Sequence, residues 1–391
     1  MKKLFKSRCL ALLLIAGLCT AQAMAGKAKK EVYIPMDYST CGYHASEKPI
    51  PDVKNAVYVS NNGADCYERL QRAINYVASL KPDKNGHRGA VLLGEGTYNI
   101  SKPLRISASG VVIRGAGRGK TTIIKHGYDR GALLYIEGGM SMTGGDTIAV
   151  AGQKTMAGAT TLTLKDASKL KKCERIRIVR PSTKEWIESL NCYDFGGGLD
   201  YTGWKPTDID ITWDRTITAV NGNSITIDAP ITTTLSEEYG GAFAVTGYNN
   251  AEISECGVEN LTLMSEHNSW NPKDEDHCWD AIWADNARDC WVRRVEFKSF
   301  AGSAVNLQKN TSRITVEDCI AGDPVSETGG WRRCVFLTRG QQTLIQRCVS
   351  RHGIHDFAAG YCAAGPNAFV QCEGENSLGF SGSIGSWAAG L

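Results

Sequence analysis

The sequence predicts an all-β protein, a right-handed parallel β-helix with an N-terminal capping helix and an inserted β-rich subdomain. Three observations carry that prediction. Short apolar strands recur between glycine turns, those at Val91, Val111 and Leu133 starting 20 and 22 residues apart, a period that suits one turn of a solenoid. A single amphipathic helix stands ahead of them. From residue 251 onward, apolar residues fall into two columns, rung upon rung.

Residues 1–25 read as an export signal. Lys2, Lys3, Lys6 and Arg8 form a basic start, Leu10 to Cys19 is apolar, and Ala23-Met24-Ala25 places small residues before Gly26. The apolar run is too short to span a bilayer, and no later segment is long enough. Loss of the four basic residues takes the formal net charge from +3 to about −1, which removes the electrostatic footprint expected of a nucleic-acid binder. Cys9 and Cys19 leave with the signal. The remaining cysteines reach an oxidising compartment where disulfides are permitted, and Cys41 with Cys66 and Cys173 with Cys192 suit such pairing. The expected location is periplasmic, cell-surface or extracellular, in a bacterium.

A loose leader over 26–55 ends in the short strand Ala56-Val57-Tyr58-Val59. The helix follows. Asp65 and Glu68 have capping-box spacing, Leu70, Ala73, Ile74, Val77 and Leu80 recur at helical intervals, and Lys81-Pro82 ends it. A lone amphipathic helix needs apolar surface to cover, and the open end of a β-solenoid supplies it. The first rungs then occupy 56–140. "GAGRGKTT" is a solenoid turn and not a phosphate loop, because Arg114 stands where that motif requires glycine and no helix follows.

Residues 141–247 break the rung pattern. "TTLTLKDASKLKKCERIRIVR" and "WDRTITAVNGNSITIDAPI" alternate, with an Asn221-Gly222-Asn223 turn that favours antiparallel hairpins. Trp186, Tyr201, Trp204 and Trp213 fall here, and a small core of its own accounts for them better than sugar-stacking platforms do. From 248 to 391 the rungs return. Leu261, Val295, Cys319, Cys348 and Cys372 form one column at intervals of 34, 24, 29 and 24 residues, and Val258, Val292, Val316, Ile345 and Phe369 form the other. The three cysteines are thus inward-facing apolar residues and not catalytic thiols. The tail "SGSIGSWAAGL" has no cap, so the sequence is expected to be a fragment or to belong to a longer solenoid.

A filled solenoid leaves function to the loops between rungs. Extra residues at 264–279, 299–303, 321–333 and 350–360 follow one column and should project from one side. They bring His267, Asp276, His277, Asp280, Asp323, Glu327, Arg332, Arg333, Arg351, His352, His355 and Asp356 beside Trp270, Trp279, Trp331 and Phe357. Ser265, Ser299, Asp323, His352 and Asn376 share one position of the repeat, so Asp323 and His352 should be neighbours on adjacent rungs. Arginines pair with carboxylates in a bidentate way, tryptophans stack on sugar faces, and histidines act as acid or base near neutral pH. "KDEDH" and Asp208, Asp210 and Asp214 leave Ca2+ open as a cofactor, although no calcium-loop spacing is present. No metal ligand is assigned.

The stretch "NNGADCYERLQRAINYVASL…GAVLLGEGTYNISKPLRISASGVVIRGAGRGKTTII" resembles the N-terminal capping helix and first rungs of the pectate-lyase-like superfamily. The helix, the "GTY" turn and the "VVIRGAG…TTI" rung come in that superfamily's order, over about 56–138 and again from about 251. The resemblance implies a protein acting on a probably acidic polysaccharide, with a lyase first. In that reading Arg333 or Arg351 neutralises a uronate, and His352 or His355 removes the neighbouring proton. Asp356 and Asp323 complete the catalytic candidates, while Arg332, Glu327, His277, Asp280, Trp279 and Trp331 would hold the chain. A glycoside hydrolase using Asp323 with Asp356 or Glu327 and a non-catalytic glycan-binding β-helix are the alternatives.

Overall fold

The computed structural model describes residues 33–139, 144–194, 203–247, 251–329 and 332–384. The export signal, Tyr201, Trp331 and the last seven residues lie outside them. Among the described residues, no helix is long and apolar enough to cross a membrane.

The architecture is a parallel β-helix, and side-chain alternation explains why. Each rung contributes short strands that bury every second residue, and stacking on the next rung pairs their backbones. Two strand runs make the thirteen-stranded sheet: one passes through Gly89–Leu93, Val111–Arg114, Thr315–Glu317 and Thr343–Gln346, the other through Gly96–Ile100, Thr121–Lys125, Ile320–Gly322 and Val349–Arg351. The longer strands Gly257–Ser265 and Trp291–Lys298 take part in both. A seven-stranded sheet through Ala132–Glu137, Asp280–Asp285, Cys334–Thr338 and His355–Gly360 forms the third face.

The sequence columns match the register. Val258 pairs with Val292, Val292 with Val316, Val316 with Ile345, and Ile345 with Phe369. Leu261 pairs with Val295, and the same offsets carry Cys319 and Cys348, both fully buried, into line beneath them. One alignment needs correction. Val91 and Val111 lie on paired strands of the large sheet, but Leu133 belongs to the seven-stranded sheet, so equal spacing there joined two different faces. The suggested disulfides are also corrected: all twelve described cysteines are thiols. Cys41 bonds through its sulfur to the Pro366 carbonyl, whereas Cys66 faces the Ala64 carbonyl.

Left-handed residues turn the chain at three edges. Asn260, Arg294, Asp318, Arg347 and Gln371 mark one; Ser299, Asp323, His352 and Asn376 the second; Glu255, Asp289, Arg313 and Gln342 the third. Their φ values lie between 50° and 62°. Such a backbone costs a non-glycine residue about 1–2 kcal/mol, and bonds between rungs offset it, as where the His352 N–H donates to the Glu375 carbonyl.

The helix spans Tyr67–Ser79 and buries Leu70, Ala73, Ile74 and Val77 in the solenoid core. Its capping box does not form. Cys66 is the N-cap with no side-chain bond, and Asp65 instead accepts from the Tyr67 N–H and the Ser101 hydroxyl. Beyond the helix, the leader folds back over the outside of the sheet. There Tyr43 and Val53 cluster with Ala90, Val112 and Trp291.

The inserted strands between Thr147 and Val245 form an antiparallel six-stranded sheet with its own core. Trp186 and Trp213 are buried in it, and Trp204 stacks on Trp186 at 5.8 Å. Core packing accounts for these rings. The short helix Lys184–Ser189, which the sequence reading missed, is capped by the Thr183 hydroxyl accepting from the Trp186 N–H.

Candidate functional site

Two segments build a cleft at one end of the second strand run, where the chain turns toward the seven-stranded sheet. The first is the turn after Thr121–Lys125. Lys125 is buried, and its ammonium donates to Asp129 at 2.6 Å and to the His126 carbonyl at 2.8 Å, which closes the turn on itself. Tyr128 is left 86% exposed at the tip.

The second segment is the loop 266–279. Asp274 organises it by accepting from the Asn268 and Asp276 N–H groups at 2.8 and 3.1 Å. Those bonds outweigh its burial and hold its carboxyl below the ordinary value. His277 is fully buried and staples the loop down. Its Nε2–H donates toward the Val325 carbonyl at 2.9 Å, and Nδ1 faces the Ser265 hydroxyl at 2.9 Å. Burial pushes its pKa down, so the ring is neutral near pH 7.

Tyr128, Glu266, His267, Asn268, Asp274 and His277 line the cleft, which has a volume of about 420 Å³. Glu266 pairs with His126 at 2.9 Å and Arg130 with Asp276 at 2.8 Å, Arg130 lying 5.7 Å from the Trp279 ring. His267 differs from these. Its Nδ1 has no hydrogen-bond partner, and its ring stands 5.9 Å from that of His277. Trp270, in the same loop, is 93% exposed. Because the His267 Nδ1 is buried, only the remainder of the half-buried ring faces the cleft, and through it an imidazole can exchange a proton with a ligand held there.

The expected residues divide into three groups. Loops 264–279 and 321–333 do come together, but through structural pairs. Glu275 holds Arg332, Lys273 holds Glu327 at 3.0 Å, and Trp279 donates to the Glu275 carbonyl. Arg333 is buried on Ser326. Asp280 accepts from the Ser303 N–H and from Asn306, and burial raises its pKa to about 6. Asp323 and His352 occupy the same edge on adjacent rungs, as their spacing implies, with Arg351 pairing to Glu375 at 2.7 Å. Within "RHGIHDF", however, only Arg351 and His352 face outward. His355 is 8% exposed and bonds to the Phe380 carbonyl at 2.8 Å, while Asp356 is 1% exposed and takes the Ser350 hydroxyl at 2.5 Å. A joint surface site of His352, His355 and Asp356 is not formed, because the strand His355–Gly360 begins there and buries both side chains, His355 against the Phe380 carbonyl and Asp356 against Ser350.

Lys125, His126, Tyr128 and Arg130 were missed. The signal was available, since "KHGYDRG" is a basic, aromatic turn between two rung strands. For calcium, the described carboxylates of the cleft fit poorly. Asp274 is spent on backbone N–H groups, Asp276 on Arg130 and Glu266 on His126, so no cage of free oxygens is present there.

No protein-family model matches the chain, and no curated protein matches its sequence. Solved structures do. The tailspike gp61 of Pseudomonas phage phi297 is 14% identical, over 77% of this chain and 48% of its own, with a TM-score of 0.35. The A-module of the Azotobacter vinelandii mannuronan C-5 epimerase AlgE4 is 13% identical, over 81% and 58%, with a TM-score of 0.36. An alginate lyase from Paenibacillus sp. str. FPU-7 is 9% identical, over 83% and 80%, with a TM-score of 0.37. The chain spans about half the length of the phage tailspike.

Proposed function

We propose that the protein is an exported polysaccharide-active enzyme that cleaves a uronate-containing glycan by β-elimination at the cleft of His267. The observation that carries this reading is the half-buried imidazole of His267 in the wall of a cleft that Tyr128 also lines, with Trp270 exposed in the same loop. The ring removes the proton beside the uronate carboxylate, and the electron pair forms the new carbon–carbon double bond. The bond to the oxygen at carbon four breaks, and that oxygen takes a proton from the Tyr128 hydroxyl or water. Arg130 beside the cleft, whose exposed ion pair with Asp276 can be exchanged, turns to the uronate carboxylate and neutralises it. The aromatic rings seat sugar faces, which an extended glycan needs on an open surface.

This reading moves the base from His352 and His355 to His267. It keeps the chemistry expected from the sequence, and keeps Arg351 with His352 as further contacts along the same edge. The test is incubation of the purified protein with a panel of uronans and neutral glycans, following both unsaturated-uronate absorbance and new reducing ends. Expected are both signals together, with His267→Ala lowering the rate by about 10²–10⁴-fold at unchanged thermal stability. Reducing ends without the absorbance would make the protein a hydrolase. Tight glycan binding without turnover would make it a binding module.

A further inference from the structure

The third edge of the solenoid carries a different cluster, away from the glycan cleft and independent of it. Glu255 and Asp289 occupy the same left-handed corner on adjacent rungs. The leader brings His44 to them, and the loop after the helix brings His87. His44 Nε2 lies 2.7 Å from Glu255 Oε1, and His87 Nε2 lies 3.1 Å from Glu255 Oε2. His44, Glu255 and Asp289 each offer a ligand atom, all within 4.8 Å of one another.

We propose that His44, Glu255 and Asp289 form a binding site for a zinc-class divalent cation that clasps the leader to the solenoid, with His87 as an outer partner on the second carboxylate oxygen of Glu255. An imidazole with two carboxylates is a donor set of the N and O type that zinc takes, with a fourth position left for water. Zinc bonds of about 2.0–2.1 Å place tetrahedral donors about 3.3 Å apart, so the cluster closes by side-chain movement alone. The surroundings hold the ligands as outer partners do at metal sites. The Tyr43 hydroxyl donates to Glu255 at 2.5 Å, the His44 N–H donates to Asp289 at 2.9 Å, and Asp83 stands 3.7 Å from His87 Nδ1. Arg313 pairs with Asp289 and lowers its share of the binding, so His44 and Glu255 do most of it. Glu255 and Asp289 are buried, while the His44 side chain keeps 21% exposure and leaves an approach for the ion.

Zinc alone is the probe. The full chain is used after chelator treatment, with Cys173→Ser and Cys192→Ser removing the two least buried thiols outside the solenoid core. Calorimetric titration should show one equivalent bound, a rise in thermal midpoint on zinc addition, and slower proteolysis of the leader. His87→Gln and His44→Gln keep a hydrogen-bond donor for Glu255, so each should fold with the parent's metal-free thermal midpoint. Each should also weaken zinc binding by at least about tenfold, while His126→Gln leaves it unchanged. Equal zinc affinity in the parent and both histidine variants overturns the site, as does no binding in the parent. Either result leaves the cluster as a hydrogen-bonded clasp.

Discussion

Two edges of the solenoid use the same left-handed corner and come to opposite ends. At the edge of Ser299, Asp323, His352 and Asn376, Asp323 and His352 point into solvent, and the corner is free to contact a ligand. At the edge of Glu255, Asp289, Arg313 and Gln342, the leader and the loop at His87 close over the corner. A repeated backbone therefore does not decide function. What folds back over the repeat does.

The covered side should be far more sensitive to substitution. The largest effect is expected at Glu259, which is buried between Arg114 and Arg293 at 2.5 Å from each, beneath the leader. Glu259→Leu strands two guanidinium groups and should cost about 3–5 kcal/mol, read by denaturant unfolding. Burial alone would raise the Glu259 carboxyl, but Arg293 and Arg114 outweigh it and hold it below the ordinary 4.5. A depressed carboxyl stabilises the fold above 4.5 and loses that contribution as pH falls through its folded value. The wild type should therefore lose stability below pH 4.5 more steeply than Glu259→Gln, measured as thermal midpoint against pH.

An intermediate effect is expected at Gly257. The Trp291 ring lies across it, so a Cβ there would meet the ring at 2.2 Å. Gly257→Ala should displace Trp291 from the leader cluster at about 1–3 kcal/mol, visible as a shift in tryptophan fluorescence and faster proteolysis of the leader. The smallest effect sharpens the comparison itself. Asp289→Asn removes charge from the bonds to His44 and Arg313 and should cost about 1–2 kcal/mol, whereas Asp323→Asn at the open edge should stay within about 0.5 kcal/mol. Equal losses at both positions would show that the corner backbone, and not its cover, sets the sensitivity.

This contrast also explains what could be read from the sequence. The rung columns were legible because parallel stacking puts like residues in register, and Cys319 and Cys348 fell into line on spacing alone. The helix at Tyr67–Ser79 and the hairpin at Gly222-Asn223 followed from local patterns. Leu133 was misplaced because a period cannot tell one face of a three-sided coil from another. The burial of His355 and Asp356 escaped notice for a related reason, since the strand start at His355 is set by pairing with Cys334 and not by local composition. Nothing local marks His44 or His87 as partners of Glu255, which lies more than 160 residues away from either. Contacts made by a segment that folds back have no periodic signature.

The inserted subdomain grips its host largely through main-chain carbonyls, with Cys362 and Ala364 packed into its core. Arg215 donates to the Gly365 carbonyl at 2.9 Å, and Trp213 donates to the Ala364 carbonyl at 2.9 Å. Gln341 is the side chain of the solenoid that answers Arg215 directly, at 2.6 Å. Carbonyl oxygens are the same whatever residue bears them. The main-chain bonds fix the loop's path, while Cys362 and Ala364 also pack their side chains into the subdomain's core, so the seat depends on both the path and small side chains there.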